Sequence, residues 1–559
     1  MRRLGGVLTT AALCAAVAST AACTNTPPPP LVPKTEAPVI TTTGPKVTEI
    51  VVGVDDVAGG YNPHALSAQS PITTALSSLL LPSPFRPGPD GAPQLDRNLM
   101  VSAKVTKADP FTVTYTIRKD ASWSDSAPVA AEDFYYLWQR MRTEPGVVDP
   151  AGYRLINNVS AREGGKVVEV AFGKPFPGWR SLFANLLPAH LLKDAPGTWS
   201  NVLSTSFPAT AGPFQVSSLD EQRGQVILER SDRYWEVPTT LDRVVIRRST
   251  HRAMTEALSK GDNQAVLLRA DASDVNLLKE IKDLTTKPVP RNEVVQVLLR
   301  PETEQLKDLK TRKAIIAALD RDALIASGTQ SGPSATYRAD SYVIPPSRSG
   351  YQATIQGNTL NPVAADQQLT EAGYAKNALT GIWEKAGKPL KLKIAAPEKV
   401  EPYVGIANRV KAQLAVRGID SEVVTPNAED LFSKQLVEKD VDIAVVPRVD
   451  AGDSAAGLAS AYGCVVDPPD GGTPSPQNPA GFCDPAIQTD IDAALNGKVL
   501  LSDALARIEP QIQAQAVALP LFQVVDLLGV LPTMVSGVDT GAPLAGVLSQ
   551  APEWRRLDK

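Results

Sequence analysis

Asn98 to Met141 reads NLMVSAKVTKADPFTVTYTIRKDASWSDSAPVAAEDFYYLWQRM and changes its hydrophobic period part-way along. Thr112 to Ile117 alternates polar and apolar side chains, the two-residue period of a half-buried strand. A polar run follows, carrying Trp123, Asp125 and Pro128. From Glu132 to Arg142 the period becomes helical. Phe134, Leu137, Trp138 and Met141 fall at i, i+3, i+4 and i+7, and Glu132 and Asp133 sit where a helix presents its free N–H groups. A strand and an amphipathic helix side by side predict a mixed α/β fold.

The same alternation runs outward in both directions. Strands are predicted at Glu49 to Val54, Val167 to Phe172, Gly224 to Glu229 and Arg243 to Arg247. Asp55, Asp56, Gly59 and Gly60 end the first of them, and the adjacent Asp55 and Asp56 read as turn residues rather than an acid/base pair. Asp308 and Asp320 are placed to cap two successive helices. Tyr403, Ala407, Val410 and Leu414 mark one face of another helix, with Gly418 closing it. Strands at Ser421 to Thr425 and Val441 to Val446 follow, then a stripe of Leu505, Ile508 and Ile512 that Pro510 should kink or open.

Composition narrows the function. The chain has 559 residues, a formal charge of −4 and 43% hydrophobic residues, enough for two to four domains with their own cores. With no basic excess, nucleic acid is an improbable partner. His64, His190 and His251 are far apart in sequence, so no histidine-rich metal centre is expected, and neither a metal nor another cofactor is implied. No GxSxG, HExxH, GxGxxG or GxxxxGK[ST] pattern occurs, so no enzyme is expected, with a hydrolase as a remote alternative.

The front end reads as export machinery. Arg2 and Arg3 precede an apolar run from Leu4 to Ala18, and small residues lead into Cys23. Residues 1–22 are therefore expected to be a lipoprotein signal peptide, and Cys23 to take a lipid and anchor the protein to the outer face of the membrane. The site resembles a bacterial lipobox, with Thr20 where Leu is usual. Residues 24–46 hold seven Pro and six Thr and read as an extended tether. Cys464 and Cys483 remain as one even pair in an oxidising compartment, separated by a segment with five Pro and three Gly. A disulfide is expected there, constraining the unfolded chain by roughly 3 kcal/mol.

Several motifs in order carry a family resemblance. The segment Asn98 to Met141 resembles the signature region of the extracellular solute-binding proteins of peptide and nickel ABC importers. It keeps Tyr115-Thr116-Ile117-Arg118, Trp123, Asp125, Pro128, Ala131 and Asp133, but has Ser126 for Gly and Ala130 for the usual Thr or Ser cap. Gly212-Pro213-Phe214, Leu228-Glu229-Arg230, Tyr234-Trp235 and Thr311 to Ile325 resemble further family motifs. Within the family, Pro145 to Tyr153, Leu186 to His190, Tyr462 to Cys464 and Cys483 to Gly497 are similar to an actinobacterial lipoprotein branch. That branch is linked to phosphatidylinositol mannoside and lipoarabinomannan assembly.

The resemblance implies a two-lobed periplasmic-binding-protein-like fold with an inserted domain. Lobe I would span 47–299, with the insertion at about 80–204. Lobe II would span 300–514, and 515–559 would return to lobe I. Val294 to Leu299 and Ala518 to Val525 are the expected crossings. The ligand, a glycolipid headgroup or a peptide, would lie between the lobes, and an ABC permease or an envelope mannosyltransferase would be the partner. In peptide binders of this family an Asp after the strand equivalent to Asp442 to Val446 holds the peptide α-amine. Asp450 falls there, without the family's Trp and with Arg448 beside it. Arg448 suits an anion, Asp450 suits an amine, and a simple Arg448–Asp450 pair is an equal alternative. Tyr61 and Asn62, in the turn Gly59 to His64, are further candidates, although turn chemistry comes first there. Trp123, Trp138 and Trp235 are expected in the core.

Overall fold

The computed structural model describes residues 47–557, apart from residues 58, 196–198, 356, 358 and 467–474. The expected signal peptide, Cys23 and the tether lie outside the described residues. Ten strands form one sheet that passes through both lobes. Its order is Asp420–Val424, Lys391–Ala395, Ile443–Val449, Thr285–Leu299, Ala518–Val530, Ala265–Leu268, Glu49–Val54, Arg243–Arg248, Gln225–Arg230 and Phe214–Asp220.

Thr285–Leu299 and Ala518–Val530 are the crossing strands, antiparallel from Thr285 opposite Val530 to Leu298 opposite Ala518. The first begins earlier and the second ends later than the apolar runs suggested. Thr285 to Pro290, mostly polar residues and prolines around Val289, give little hydrophobic signal, yet their backbone pairs with the partner strand. Register shifts between Pro290 and Val294 and between Val295 and Gln296 interrupt the pair, and such bulges bend strands.

The cores follow the pleat of the sheet. Val295, Val297, Leu299, Ile443 and Val445 pack into one lobe II core, while Leu298, Ala444 and Val446 pack into another on the opposite face. Successive strand side chains point to opposite faces, so one strand feeds both cores. The lobe I core, around Ile50, Val52 and Leu76, continues into a four-stranded antiparallel sheet. That sheet has the order Met100–Ala108, Phe111–Ile117, Val167–Phe172, Ile156–Arg162.

The opening segment folds as its periods imply, with helix Ala131–Thr143 after strand Phe111–Ile117. Trp123 and Trp138 are buried and Trp235 is partly buried against the same core. Ala130 has no side chain able to cap the helix. Asp133 substitutes, its buried carboxylate accepting the N–H of Ala130 and of Ala189, each at 2.9 Å, and facing the Trp123 indole at 3.3 Å. Loss of hydration pushes its pKa up to about 6, against those three donors. Ser126 occupies the left-handed region at φ 77° where the family pattern has Gly, a strain of about 1–2 kcal/mol for a residue with a Cβ.

The expected caps form. Asp308 accepts from the Lys310 N–H at the start of Leu309–Ala318, and Asp320 from the Ala323 N–H at the start of Arg321–Thr329. Pro510 lies inside helix Leu501–Gln515 instead of opening it. Buried Leu505, Ile508 and Ile512 hold both halves against the lobe II core. Asp55 does more than end a strand. It accepts the Arg269 N–H at 2.7 Å and faces His251 Nε2 at 3.0 Å, while Asp274 faces Nδ1 of the same ring at 2.7 Å. The Asp55 hydrogen bond and the two nearby carboxylates raise His251 to about 9.

Candidate ligand-binding cleft

The end of strand Ile443–Val449 separates two chambers. Arg448 lines one of about 810 Å³ and Asp450 lines the other, of about 950 Å³. Asp149 and Val449 form part of both walls.

The smaller chamber lies between the segment Glu144 to Arg154 on one side and Gln296, Arg448, Ser460 and Tyr462 on the other. Its outer wall is the end of the loop closed by the Cys464–Cys483 disulfide, with S–S 2.08 Å. Asn478 ties the two described ends of this loop together. Its amide donates to the carbonyls of Gly463 at 2.9 Å and Phe482 at 2.6 Å, and its oxygen accepts the Phe482 N–H at 3.1 Å. Helix Pro71–Leu80 supplies Thr73, Thr74 and Ser77 to the larger chamber, and Asn292 of the first crossing strand faces it too.

Polar contacts join the two sides across this space. Ser67 Oγ donates to Glu429 at 2.8 Å, the Ala451 N–H to Asp149 Oδ2 at 3.0 Å, and the Ala151 N–H to Ser460 Oγ at 3.1 Å. Arg154 Nη2 donates to the Pro476 carbonyl at 3.3 Å. The Ser67 hydroxyl is thereby engaged.

Arg448 and Asp450 do not pair with each other. Arg348 Nε lies 3.1 Å from Asp450 Oδ2, an ion pair without hydrogen-bond geometry. Arg348 also donates from Nη2 to the Gly452 carbonyl at 3.1 Å, and the Gly452 N–H donates to Asp450 Oδ1 at 2.9 Å. Arg348 stands 104 positions before Gly452, and no local signal in the sequence marks it. Its backbone is held from the crossing strands, because Gln523 accepts the neighbouring Ser347 N–H at 2.9 Å and donates to Ser347 Oγ at 2.7 Å.

Arg448 is only 8% exposed, and its Nη2 has no hydrogen-bond partner among the described residues. The Tyr462 hydroxyl and Arg154 Nε, on the walls of the same chamber, are buried without partners as well. Lost hydration lowers Arg154 to about 10. It also pushes Asp149 up to about 7, and Asp450 and Asp453 add repulsion against the pull of the Ala451 N–H and Arg448. Sequence reasoning found Arg448 and missed Arg154, Tyr462 and Asp149.

Tyr61 and Asn62 are placed elsewhere. Tyr61 is fully buried beside Phe207, with its hydroxyl 2.6 Å from the Val57 carbonyl and 3.0 Å from Glu221. Asn62 Oδ1 accepts the His64 N–H at 3.1 Å, which tightens the turn. Neither residue is among those lining the two chambers, whereas the next residues, Pro63 and His64, line the larger one. The turn folds the tyrosine ring into the core and brings the following residues to the surface of the cleft.

Residues 96–466 match the model of the bacterial extracellular solute-binding proteins, family 5 Middle. The chain belongs to this family. It is 34% identical, over 93% of both chains, to the "Probable monoacyl phosphatidylinositol tetramannoside-binding protein LpqW" of Mycobacterium tuberculosis. It is 25% identical to an oligopeptide-binding protein OppA of Mycobacterium bovis, over 88% of this chain and 82% of that one. Its fold is similar to that of the oligopeptide-binding protein AppA from Bacillus subtilis in complex with a nonapeptide. The TM-score is 0.73, with 17% identity, and the match covers 92% of this chain and all of that one. In this family 5 solute-binding protein, Asp149, Arg154, Arg348, Arg448, Asp450 and Tyr462 all fall inside the matched segment. Among the described residues no helix is long and apolar enough to cross a membrane.

Proposed function

We propose that this solute-binding protein is a lipid-anchored receptor on the outer face of the cell membrane. Its ligand is an anionic, sugar-bearing headgroup of the phosphatidylinositol mannoside kind, bound between the lobes. It acts in phosphatidylinositol mannoside and lipoarabinomannan assembly, with a mannosyltransferase of the envelope as its partner. One observation carries this reading: Asp450 is already paired to Arg348, while Arg448 keeps an unpartnered N–H in the cleft. A carboxylate at this place holds a peptide amine only if it is free to meet it. A guanidinium at contact distance offsets that attraction by roughly 1–4 kcal/mol, depending on local dielectric, a tenfold loss of affinity or more. The name and the 34% identity of the mycobacterial relative support the same reading.

The second reading is an oligopeptide receptor that delivers to an ABC permease, and the OppA relative favours it. Calorimetry separates the two. A mixed tripeptide library is expected to bind weakly or not at all, and a soluble inositol-phosphate mannoside to bind measurably. Micromolar peptide affinity without any response to the mannoside would transfer the case to the importer.

The anchor rests on the apolar run and small residues before Cys23. Cys23→Ala is expected to move the protein from the detergent phase to the aqueous phase on phase partitioning. A variant that partitions into detergent as fully as the wild type would rule the anchor out.

A further inference from the structure

We propose that the 810 Å³ chamber behind the disulfide loop is an anion site. It holds the phosphate of a phosphodiester ligand between Arg448 and Tyr462 on one wall and Arg154 on the other. The inference deepens the headgroup reading above and rests on it.

Three buried polar groups without hydrogen-bond partners among the described residues line this one chamber: Arg448 Nη2, the Tyr462 hydroxyl and Arg154 Nε. Buried polar groups are paired in the great majority of cases, and each unpaired one carries a desolvation cost. All three can donate, and a phosphate supplies acceptors to several donors at once. A guanidinium matches its geometry better than an ammonium would.

The other charges around the chamber are occupied. Glu302 pairs with Arg300 and Lys439, Glu144 with Arg140, and Lys307 with Glu304. Arg312 donates to the carbonyls of Leu306, Lys307 and Gln515. Asp484 accepts from the Ala486 N–H at the start of helix Pro485–Leu495 and from Gln515. Asp149 is left to oppose the two arginines, and it accepts the Ala451 N–H. The chamber therefore keeps an excess of unpaired positive charge. Arg448 comes from a lobe II strand and Arg154 from the segment across the cleft, so an anion held by both ties the two sides together.

Three probes test the site in the detergent-solubilised full-length protein: inorganic phosphate, glycerophosphoinositol and neutral myo-inositol. Glycerophosphoinositol is expected to bind and myo-inositol not. Arg448→Gln, Arg154→Gln and Tyr462→Phe are each expected to weaken that binding about tenfold or more, and Arg154→Lys to restore part of it. Thermal melts confirm that each variant is folded, and Tyr462→Phe keeps the ring should an arginine variant fail to fold. Tighter binding of glycerophosphoinositol than of phosphate assigns the site to a lipid headgroup, and the reverse order assigns it to free phosphate. Equal binding of charged and neutral probes, or affinity unchanged in folded Arg154→Gln and Tyr462→Phe, overturns the site. If those variants still bind an inositol-phosphate mannoside like the wild type, the chamber assignment falls while the headgroup reading stands. If the wild type binds tripeptides and no mannoside, the headgroup reading itself falls.

Discussion

Asp526→Ala is expected to destabilise the protein by about 3–5 kcal/mol, the cost of leaving a buried charge without its partner. Arg291 grips Asp526 with two hydrogen bonds, Nε to Oδ2 at 2.8 Å and Nη2 to Oδ1 at 2.7 Å. Asp526 is 2% exposed and Arg291 19%. Loss of hydration raises the Asp526 pKa even with Arg291 beside it. The pair joins the two crossing strands at the register shift that follows Pro290. Glu293 is buried nearby, with the Tyr403 hydroxyl donating to it at 3.2 Å. A truncated Asp526 thus leaves Arg291 in a site built for two charges of opposite sign. Thermal and denaturant unfolding should both register the loss. The double variant Asp526→Leu with Arg291→Met is expected to recover much of it, because replacing both partners with apolar groups removes the unpaired charge. A single variant within about 1 kcal/mol of wild type would mean that Arg291 finds Glu293 or water instead.

Gly212→Ala should cost about 3 kcal/mol or more, at the upper end of what overpacking a tight contact does. An added Cβ would stand 1.8 Å from the Leu79 carbonyl oxygen, 2.7 Å from its carbon and 3.1 Å from Leu80 Cα. All three are backbone atoms, so no side chain can rotate away. The neighbouring Ala211 N–H donates to the Leu80 carbonyl at 2.8 Å and holds the two segments at this distance. Gly164→Ala is the control. It has positive φ and no atom within 4 Å of a new Cβ, so only the backbone penalty of about 1–2 kcal/mol applies. Equal melting temperatures for the two variants would show that the Leu79 contact relaxes freely.

Gly212 opens the Gly212-Pro213-Phe214 motif, so its importance was legible as a family pattern while its cause was not. Strand and helix periods, the Asp308 and Asp320 caps and the Cys464–Cys483 pair were readable for a simpler reason. Each depends on residues a few positions apart, or on there being only two cysteines left to join. The crossing strands were readable only in their apolar halves. The more polar half, from Thr285 to Pro290, is held by backbone pairing to Ala518–Val530, and backbone hydrogen bonds leave no trace in side-chain pattern.

The cleft divides along the same line. The sequence by itself determined the α/β class, the family, and that a basic and an acidic residue, Arg448 and Asp450, follow one strand. Tertiary structure decided which charge is spent and which is available. Arg348 reaches Asp450 because Gln523 of a crossing strand positions Ser347. Arg154 and Tyr462 meet Arg448's chamber because residues 476–483, joined back to Cys464 by the disulfide, and the segment Glu144 to Arg154 line it together. Tyr61 leaves the cleft because its ring finds Phe207 in the core. The physical reason is common to all three. A side chain's charge and size are fixed by its own identity, but its partner is fixed by how distant segments pack, and that packing is set by the whole sheet at once.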